Sequence, residues 1–292
     1  VLGSAKIPEG KEGEMGKLSG RTALVTGGGT GIGFGCAREL ALEGARVTLA
    51  GRRVDVLEDA AKRLKSEGFD VATVGCDITV EDSVRAAVEV ARRGGNLDVL
   101  VANAGSGFPG AILQLEAQAW DFCMKLNVTG TALCLKHAGL VMKEHGGGSV
   151  VAISSTSGTK VQPWLAPYVV SKRALDMLVR CAAVELAPHR IRVNSIQPGY
   201  VPTEAMGGIT PPELDATLKA AAPLGCAGTP ADIGRAVTFL ASPDAGWITG
   251  QVFGVDGGLN VPVMPSMGAI AKVVYGESLV TQMALPDLTA LG

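Results

Sequence analysis

Tyr168 and Lys172 stand four residues apart in Ala166-Pro167-Tyr168-Val169-Val170-Ser171-Lys172, a stretch that otherwise reads as an amphipathic helix in a chain with only three tyrosines. Positions i and i+4 of a helix lie one above the other, so phenol and ammonium share a face. A free phenol has a pKa near ~10 and is rarely ionised at neutral pH. An ammonium about 4 Å away, at an effective dielectric of about 20, attracts a phenolate by about 4 kcal/mol, or about three pKa units. Desolvation opposes this, and the expected net shift of Tyr168 is downward. Such a pair can pass a proton to or from a substrate oxygen. The same spacing also serves as a plain surface pair, so its surroundings decide.

The most informative surroundings lie near the start of the chain. A short apolar run ends in Thr26-Gly27-Gly28-Gly29-Thr30-Gly31-Ile32-Gly33, where helical spacing begins. Glycines there let the backbone approach a pyrophosphate, and the first N–H groups of the next helix favour negative charge. The strict GxGxxG spacing and the Gly-Lys-Ser/Thr ending of a P-loop are both absent. The pattern Thr-Gly-x-x-x-Gly-x-Gly resembles that of the short-chain dehydrogenase/reductase family, in which Gly27, Gly31 and Gly33 correspond to the dinucleotide glycines. Thr30 and Ile32 lie between them.

The end of the second apolar run bears on which dinucleotide is bound. NAD-binding proteins place a carboxylate there for the ribose 2′-hydroxyl, and the sequence reads Leu49-Ala50-Gly51-Arg52-Arg53. Gly51 leaves room, and Arg52, with Arg53 beside it, offers a planar fork to a 2′-phosphate. NADP(H) is the expected cofactor. NAD(H), with two solvated arginines, is the alternative.

The resemblance covers residues 18–258 and assigns roles residue by residue. It implies that Asp77 contacts the adenine, that Asn103-Ala104-Gly105 closes the fourth strand beside the cofactor, and that Asn127 holds a water linking Lys172 to solvent. Two serines, Ser154 and Ser155, compete for one role, and the family's interval to the tyrosine selects Ser155 as hydrogen-bond donor to the substrate oxygen. Pro198 and Gly199 would turn the chain beside the nicotinamide, and Thr203 would contact the carboxamide or phosphates. Tyr168 would be the general acid/base, with Lys172 also binding the ribose hydroxyls. Val255-Asp256-Gly257-Gly258 is similar to the last-strand ending that serves subunit contacts in relatives.

Elements that could position these residues recur along the chain. Residues 22–26, 46–50, 71–75, 98–102, 149–154 and 192–196 are apolar nearly throughout, as strands covered on both faces must be. Residues 32–43, 54–66, 80–93, 117–144 and 168–187 carry helical spacing. A further helix is expected from Pro230 to about Leu240 with Thr229 as its N-cap, and a last strand at 251–256. This alternation predicts an α/β fold: one doubly wound, Rossmann-type sheet of about seven parallel strands with helices on both faces. The expected organisation is a mobile N-terminal tail at 1–16, the dinucleotide-binding and catalytic domain at 17–260, and a C-terminal extension at 261–292.

Composition narrows the partners. The chain of 292 residues is 47% hydrophobic and 18% charged, enough for one large core. A net charge of -2 and no Lys/Arg cluster argue against nucleic acid or an anionic membrane. No apolar run reaches the roughly 18 residues of a spanning helix, and the N-terminal residues lack the apolar core of a signal peptide. Six cysteines without paired spacing read as buried thiols in a reducing compartment, and the three histidines show no metal-ligand spacing. The cytoplasm is the expected location.

The expected activity is hydride transfer between NADP(H) and a carbonyl or secondary alcohol. Residues 106–113, 156–167 and 200–224 would line the substrate cleft; Phe108, Ile112, Leu113, Trp164, Leu165, Met206 and Ile209 favour an apolar or acyl-type ketone. An NAD-dependent alcohol, steroid or polyol dehydrogenase is the alternative within the family. A non-catalytic dinucleotide-binding sensor or scaffold is the rival outside enzymes, though it has no need of Ser155, Tyr168 and Lys172 together. The resemblance implies a homo-oligomer, tetramer or dimer, through the helices at 127–143 and 168–186. Met264, Met267, Ile270, Val273 and Val274 would pack the extension on a neighbour or over a cleft, with a disordered extension as the alternative.

Overall fold

Thr22–Thr26 is buried at every position, the condition that selects an unbroken apolar run for an interior strand. It is β1 in a computed structural model that describes residues 16–204, 210–262, 267–276 and 278. The chain then alternates: α1 (Gly31–Leu42), β2 (Arg46–Gly51), α2 (Val54–Ser66), β3 (Val71–Gly75), α3 (Glu81–Arg92), β4 (Val99–Ala102), α4 (Ala117–Met124), α5 (Gly130–Glu144) and β5 (Gly148–Ile153). It continues through α6 (Ala166–Leu186), β6 (Ile191–Pro198), α7 (Pro212–Ala220), α8 (Pro230–Ala241), β7 (Val252–Val255) and α9 (Gly268–Tyr275).

Helical periodicity is visible in what is buried. In α2 these are Leu57, Ala60, Ala61 and Leu64, and in α3 Val84, Ala87, Val88 and Ala91. Both sets follow i, i+3, i+4, i+7, so one stripe packs while the rest stays wet. The expected start of α8 is present as a capping box: the Asp232 amide donates to Thr229 Oγ1 at 3.2 Å, and the Thr229 amide donates to Asp232 Oδ2 at 2.7 Å.

Seven strands form one parallel sheet in the order β3-β2-β1-β4-β5-β6-β7. The chain winds outward from β1 to β3, then returns to place β4 on the other side of β1. That reversal opens a crevice beyond the carboxyl ends of β1 and β4. One core, including Leu40, Leu49, Leu57, Ile233 and Val237, lies between the sheet and α1, α2 and α8. The other, including Leu24, Leu100, Met142, Leu175 and Val179, lies under α3, α5 and α6.

Several expectations change. The single helix read at 117–144 is two helices joined by a π turn, Lys125–Thr129, which contains Asn127. The segment read as cleft lining at 200–224 includes α7. Cys36, Cys76, Cys123 and Cys134 are buried thiols, whereas Cys181 and Cys226 are exposed. The tail residues 1–15, Met206, Ile209, Met264 and most of the extension lie outside the described residues. Among the described residues no helix is long and apolar enough to cross a membrane, and no cluster of potential metal ligands occurs.

Leu100, in the middle of β4, is fully buried. Leu100→Ala should lower the unfolding free energy by about 2–5 kcal/mol through lost transfer energy and a residual cavity. Urea unfolding with an unchanged slope and a lower midpoint is the expected result.

Candidate active site

The glycine loop is held by contacts too close for side chains. A Cβ on Gly33 would lie 2.2 Å from the Gly27 carbonyl oxygen and 2.5 Å from Asn103 Nδ2, so only glycine lets α1 start against the loop. Asn103 staples the loop from β4: its Nδ2 donates to the carbonyls of Thr26 at 2.9 Å and Gly27 at 3.2 Å. Thr26 Oγ1 in turn accepts from the amides of Asn103 and Ala104. Thr30 caps α1 with extended backbone and no side-chain cap bond, and Ile32 packs on the core below.

The first turn of α1 already holds an anion. The Gly31 amide donates to Glu204 Oε2 at 2.9 Å, and Thr203 packs on Gly31 so closely that a Cβ there would be 2.9 Å from its methyl carbon. A carboxylate thus sits where a helix N-terminus attracts phosphate. A loop with no room for a Cβ, ending on an amide that already binds an oxyanion, fits the diphosphate of a dinucleotide.

Around this cradle the other strand ends converge. Gly51 ends β2, followed by exposed Arg52 and Arg53, neither of which forms a salt bridge among the described residues. Asp77 follows β3, and its Oδ1 accepts from the Thr79 amide at 2.9 Å and hydroxyl at 2.8 Å. The Thr79 amide leads in holding this carboxyl below its usual range, with smaller help from Arg52 and Lys125. Pro198 ends β6, and Gly199 passes so near Asp256 that a Cβ would meet its Cα at 2.7 Å.

The proton-handling residues meet beside the end of β5. Lys172 is 4% exposed, and its Nζ donates to the Ile153 carbonyl at 2.8 Å while standing 5.6 Å from the centre of the Tyr168 ring. Gly105 makes room, since a Cβ there would lie 2.9 Å from Asn127 Oδ1 and 3.3 Å from Lys172 Nζ. Asn127 is buried in the π turn. Its Oδ1 accepts from the Ser106 amide, and its Nδ2 donates to the Ser106 carbonyl and Ser171 Oγ. Of the two competing serines, Ser154 is buried and donates to the Lys172 carbonyl, whereas Ser155 accepts from the Ser157 amide and lowers the pKa of the Tyr168 phenol.

The expected downward shift of Tyr168 is not found. Burial pushes the phenol above its ordinary value, against a lowering effect of Ser155 and with a smaller push from Cys123. Burial also draws Lys172 down to about 8, opposed first by Asp176. The physical reason is that both groups are desolvated, and that outweighs the attraction expected from their spacing.

Sequence reasoning passed over four residues here. Asp176 lies one turn beyond Lys172 on the same face of α6, so the i, i+4 rule that found the pair could have found it. Ser171 holds Asn127, and buried Cys123 sits close enough to affect Tyr168 and Lys172. Nothing in the sequence pointed to Glu204. The cleft walls also interlock: the Gly110 amide donates to the Trp164 carbonyl at 2.7 Å, and Trp164 holds a left-handed φ of 67°. An open recess of about 390 Å³ lies there, lined by Ile112, Val161, Trp164, Val169 and Val170.

Comparison with known proteins agrees with this geometry. A family model described as enoyl-(acyl carrier protein) reductase matches residues 27–260. The chain is 40% identical over 240 residues to cis-4-hydroxycyclohexanecarboxylate dehydrogenase of Sinomonas cyclohexanicum, covering 82% of this chain and 96% of that protein. It is 36% identical to human dehydrogenase/reductase SDR family member 4, covering 82% and 88%. A short-chain type dehydrogenase/reductase from Mycobacterium ulcerans superposes with a TM-score of 0.81 at 38% identity, covering 90% of this chain and 98% of that one. A 7α-hydroxysteroid dehydrogenase complexed with NADH and 7-oxo glycochenodeoxycholic acid superposes with a TM-score of 0.79 at 32% identity, covering 82% and 94%. The fold, the glycine cradle and these matches make the chain a member of the short-chain dehydrogenase/reductase family, oxidoreductases of alcohol and carbonyl groups that bind a nicotinamide dinucleotide.

Proposed function

We propose that the protein is an NADP(H)-dependent ketoreductase for an apolar or acyl-type ketone, or for the matching secondary alcohol, with Tyr168 as general acid/base. The observation that carries this reading is the buried Lys172 ammonium 5.6 Å from the centre of the Tyr168 ring, beside the strand end that leads to Ser155. The bound dinucleotide supplies or accepts the hydride. In reduction, the substrate oxygen takes a hydrogen bond from Ser155 and the proton from Tyr168 as it becomes an alkoxide.

The raised phenol is suited to this step. It rests protonated, ready to act as an acid, and Lys172 stabilises the phenolate only as it forms. Lys172 also binds ribose hydroxyls on this reading, and Asn127 fixes the π turn and keeps an acceptor lone pair for a relay water. Gly27, Gly31 and Gly33 admit the diphosphate, Thr30 and Ile32 open the helix above it, and Thr203 closes over it. Asp77 faces the adenine, Asn103 and Gly105 border the cofactor, and Pro198 with Gly199 backs the nicotinamide.

Exposed Arg52 and Arg53, free of salt bridges among the described residues and with no carboxylate at the end of β2, support a 2′-phosphate. An NAD-dependent alcohol, steroid or polyol dehydrogenase is the second reading, favoured by the likeness to a steroid dehydrogenase whose structure holds NADH. Apolar residues around the recess, and a relative named for a carbocyclic hydroxy acid, support an apolar substrate. Exposed Leu140 on α5 and Val170, Met177 and Val184 on α6 support a homo-oligomer, tetramer or dimer, through those helices. Cytoplasmic location belongs to the same proposal.

A panel of ketones and secondary alcohols with NADPH, NADH and their oxidised forms tests the reading; no turnover on any member would leave the sensor or scaffold role. Tyr168→Phe should retain NADPH binding and lose about 10²–10⁴-fold in turnover; activity like that of the unaltered protein would sink the assignment. Arg52→Ala should weaken NADPH far more than NADH in a fluorescence titration, whereas equal losses would favour NAD(H). Glu204→Gln removes the charge that a diphosphate must displace from Gly31. It should tighten dinucleotide binding by roughly two- to fivefold, equivalent to about 0.3–1 kcal/mol, measured by calorimetry.

A further inference from the structure

Asp176 continues the stripe on α6 that begins with Tyr168 and Lys172, at i, i+4 and i+8. It is 2% exposed. Its Oδ1 accepts from Ser195 Oγ at 3.1 Å and its Oδ2 from Gln197 Nε2 at 2.7 Å, both neutral donors on β6. On the other side it presses on Gly158, where a Cβ would lie 2.6 Å from Asp176 Oδ2. Gly158 belongs to the 3₁₀ turn that starts directly after Ser155. Thr159, which follows that turn, donates to Gln197 Oε1 at 3.0 Å. The carboxylate is therefore wedged between α6, the turn that carries Ser155, and the strand that leads to Pro198.

A carboxylate buried with two neutral donors is costly unless an opposite charge shares its volume. No salt bridge to Asp176 exists among the described residues, and none to Lys172. The groups facing Lys172 are Tyr168 and Asp176 from its own helix, the Cys123 thiol from α4, Asn127 from the π turn, Gly105 after β4 and the Ile153 carbonyl from β5. Burial pushes the Cys123 thiol up, and Asp176 is the one carboxyl among these groups.

We propose that Asp176 is a positioning residue: its buried carboxylate is the counter-charge of the Lys172 ammonium, and its bonds to Ser195 and Gln197 hold that charge one helical turn away. This deepens the reading of Tyr168 and Lys172 given above and rests on it. The ammonium that stabilises the Tyr168 phenolate persists to higher pH than burial alone would allow. Placing the anion one turn back leaves the ammonium free to face the phenol.

Two measurements test it. In the pH profile of carbonyl reduction, Asp176→Asn should move the alkaline limb down by about one pH unit or more, and Asp176→Glu should keep it near its original place. A lower plateau with an unmoved limb means a packing role only and overturns the proposal. The second measurement is independent of activity: urea unfolding of Lys172→Met, Asp176→Asn and the double variant. Lys172→Met strands a buried carboxylate, so the double variant should be more stable than Lys172→Met alone. Additive losses would overturn the proposal. Full turnover by Tyr168→Phe would instead refute the underlying reading, whatever the unfolding cycle shows.

Discussion

A lysine ammonium buried at the carboxyl edge of a parallel sheet is the constraint around which this site is arranged. Such burial costs several kcal/mol unless partners replace the lost water. The replacement comes from the end of β5, where the Ile153 carbonyl accepts from Lys172. Ile153 is in register with Ile196, so the sheet itself sets where that acceptor stands. Ser154 and Ser155 follow at once, which means that the strand end holding the ammonium also carries the serine that acts on the Tyr168 phenol. Moving β5 by one residue would misplace both together.

A second site of opposite preference lies across β4. Backbone amides at the start of α1 attract negative charge, and Glu204 satisfies one of them. The two sites are joined by three consecutive residues: Asn103 staples the glycine loop, and Gly105 leaves space for Lys172 and Asn127. On the proposed reading, this joint keeps the diphosphate cradle and the proton donor at a fixed offset, so cofactor and substrate meet in one geometry.

Much of this was legible because it depends on short-range pattern. Apolar runs placed the seven strands within a residue or two, and Thr229-Pro230 announced α8 through capping chemistry. Glycine, asparagine, serine, tyrosine and lysine positions followed from motif order. The π turn was not legible, since the apolar spacing of residues 117–144 continues through it. Nor was the Glu204 contact, which joins positions 173 apart along the chain. The sign of the Tyr168 shift was misread for a related reason. Spacing along a helix gives the partner but not the solvent exposure of either group, and here desolvation outweighs attraction.

That misreading separates two parts of the cleft. On the proposed reading the substrate walls meet at Tyr168: a Cβ on Gly107 would lie 3.3 Å from the phenol ring, and the Gly110 amide is tied to Trp164. Trp164 holds its left-handed backbone, a strain on the order of 1 kcal/mol or more, with its carbonyl held by the Gly110 amide. Lys172 is shielded behind Gly105, Asn127 and the end of β5. Changes in the walls can therefore alter which carbonyl reaches the phenol while leaving the ammonium's environment intact. On the proposed reading, a fold built this way can vary its substrate without rebuilding its proton donor, and that is why the residues that name the family say so little about the substrate.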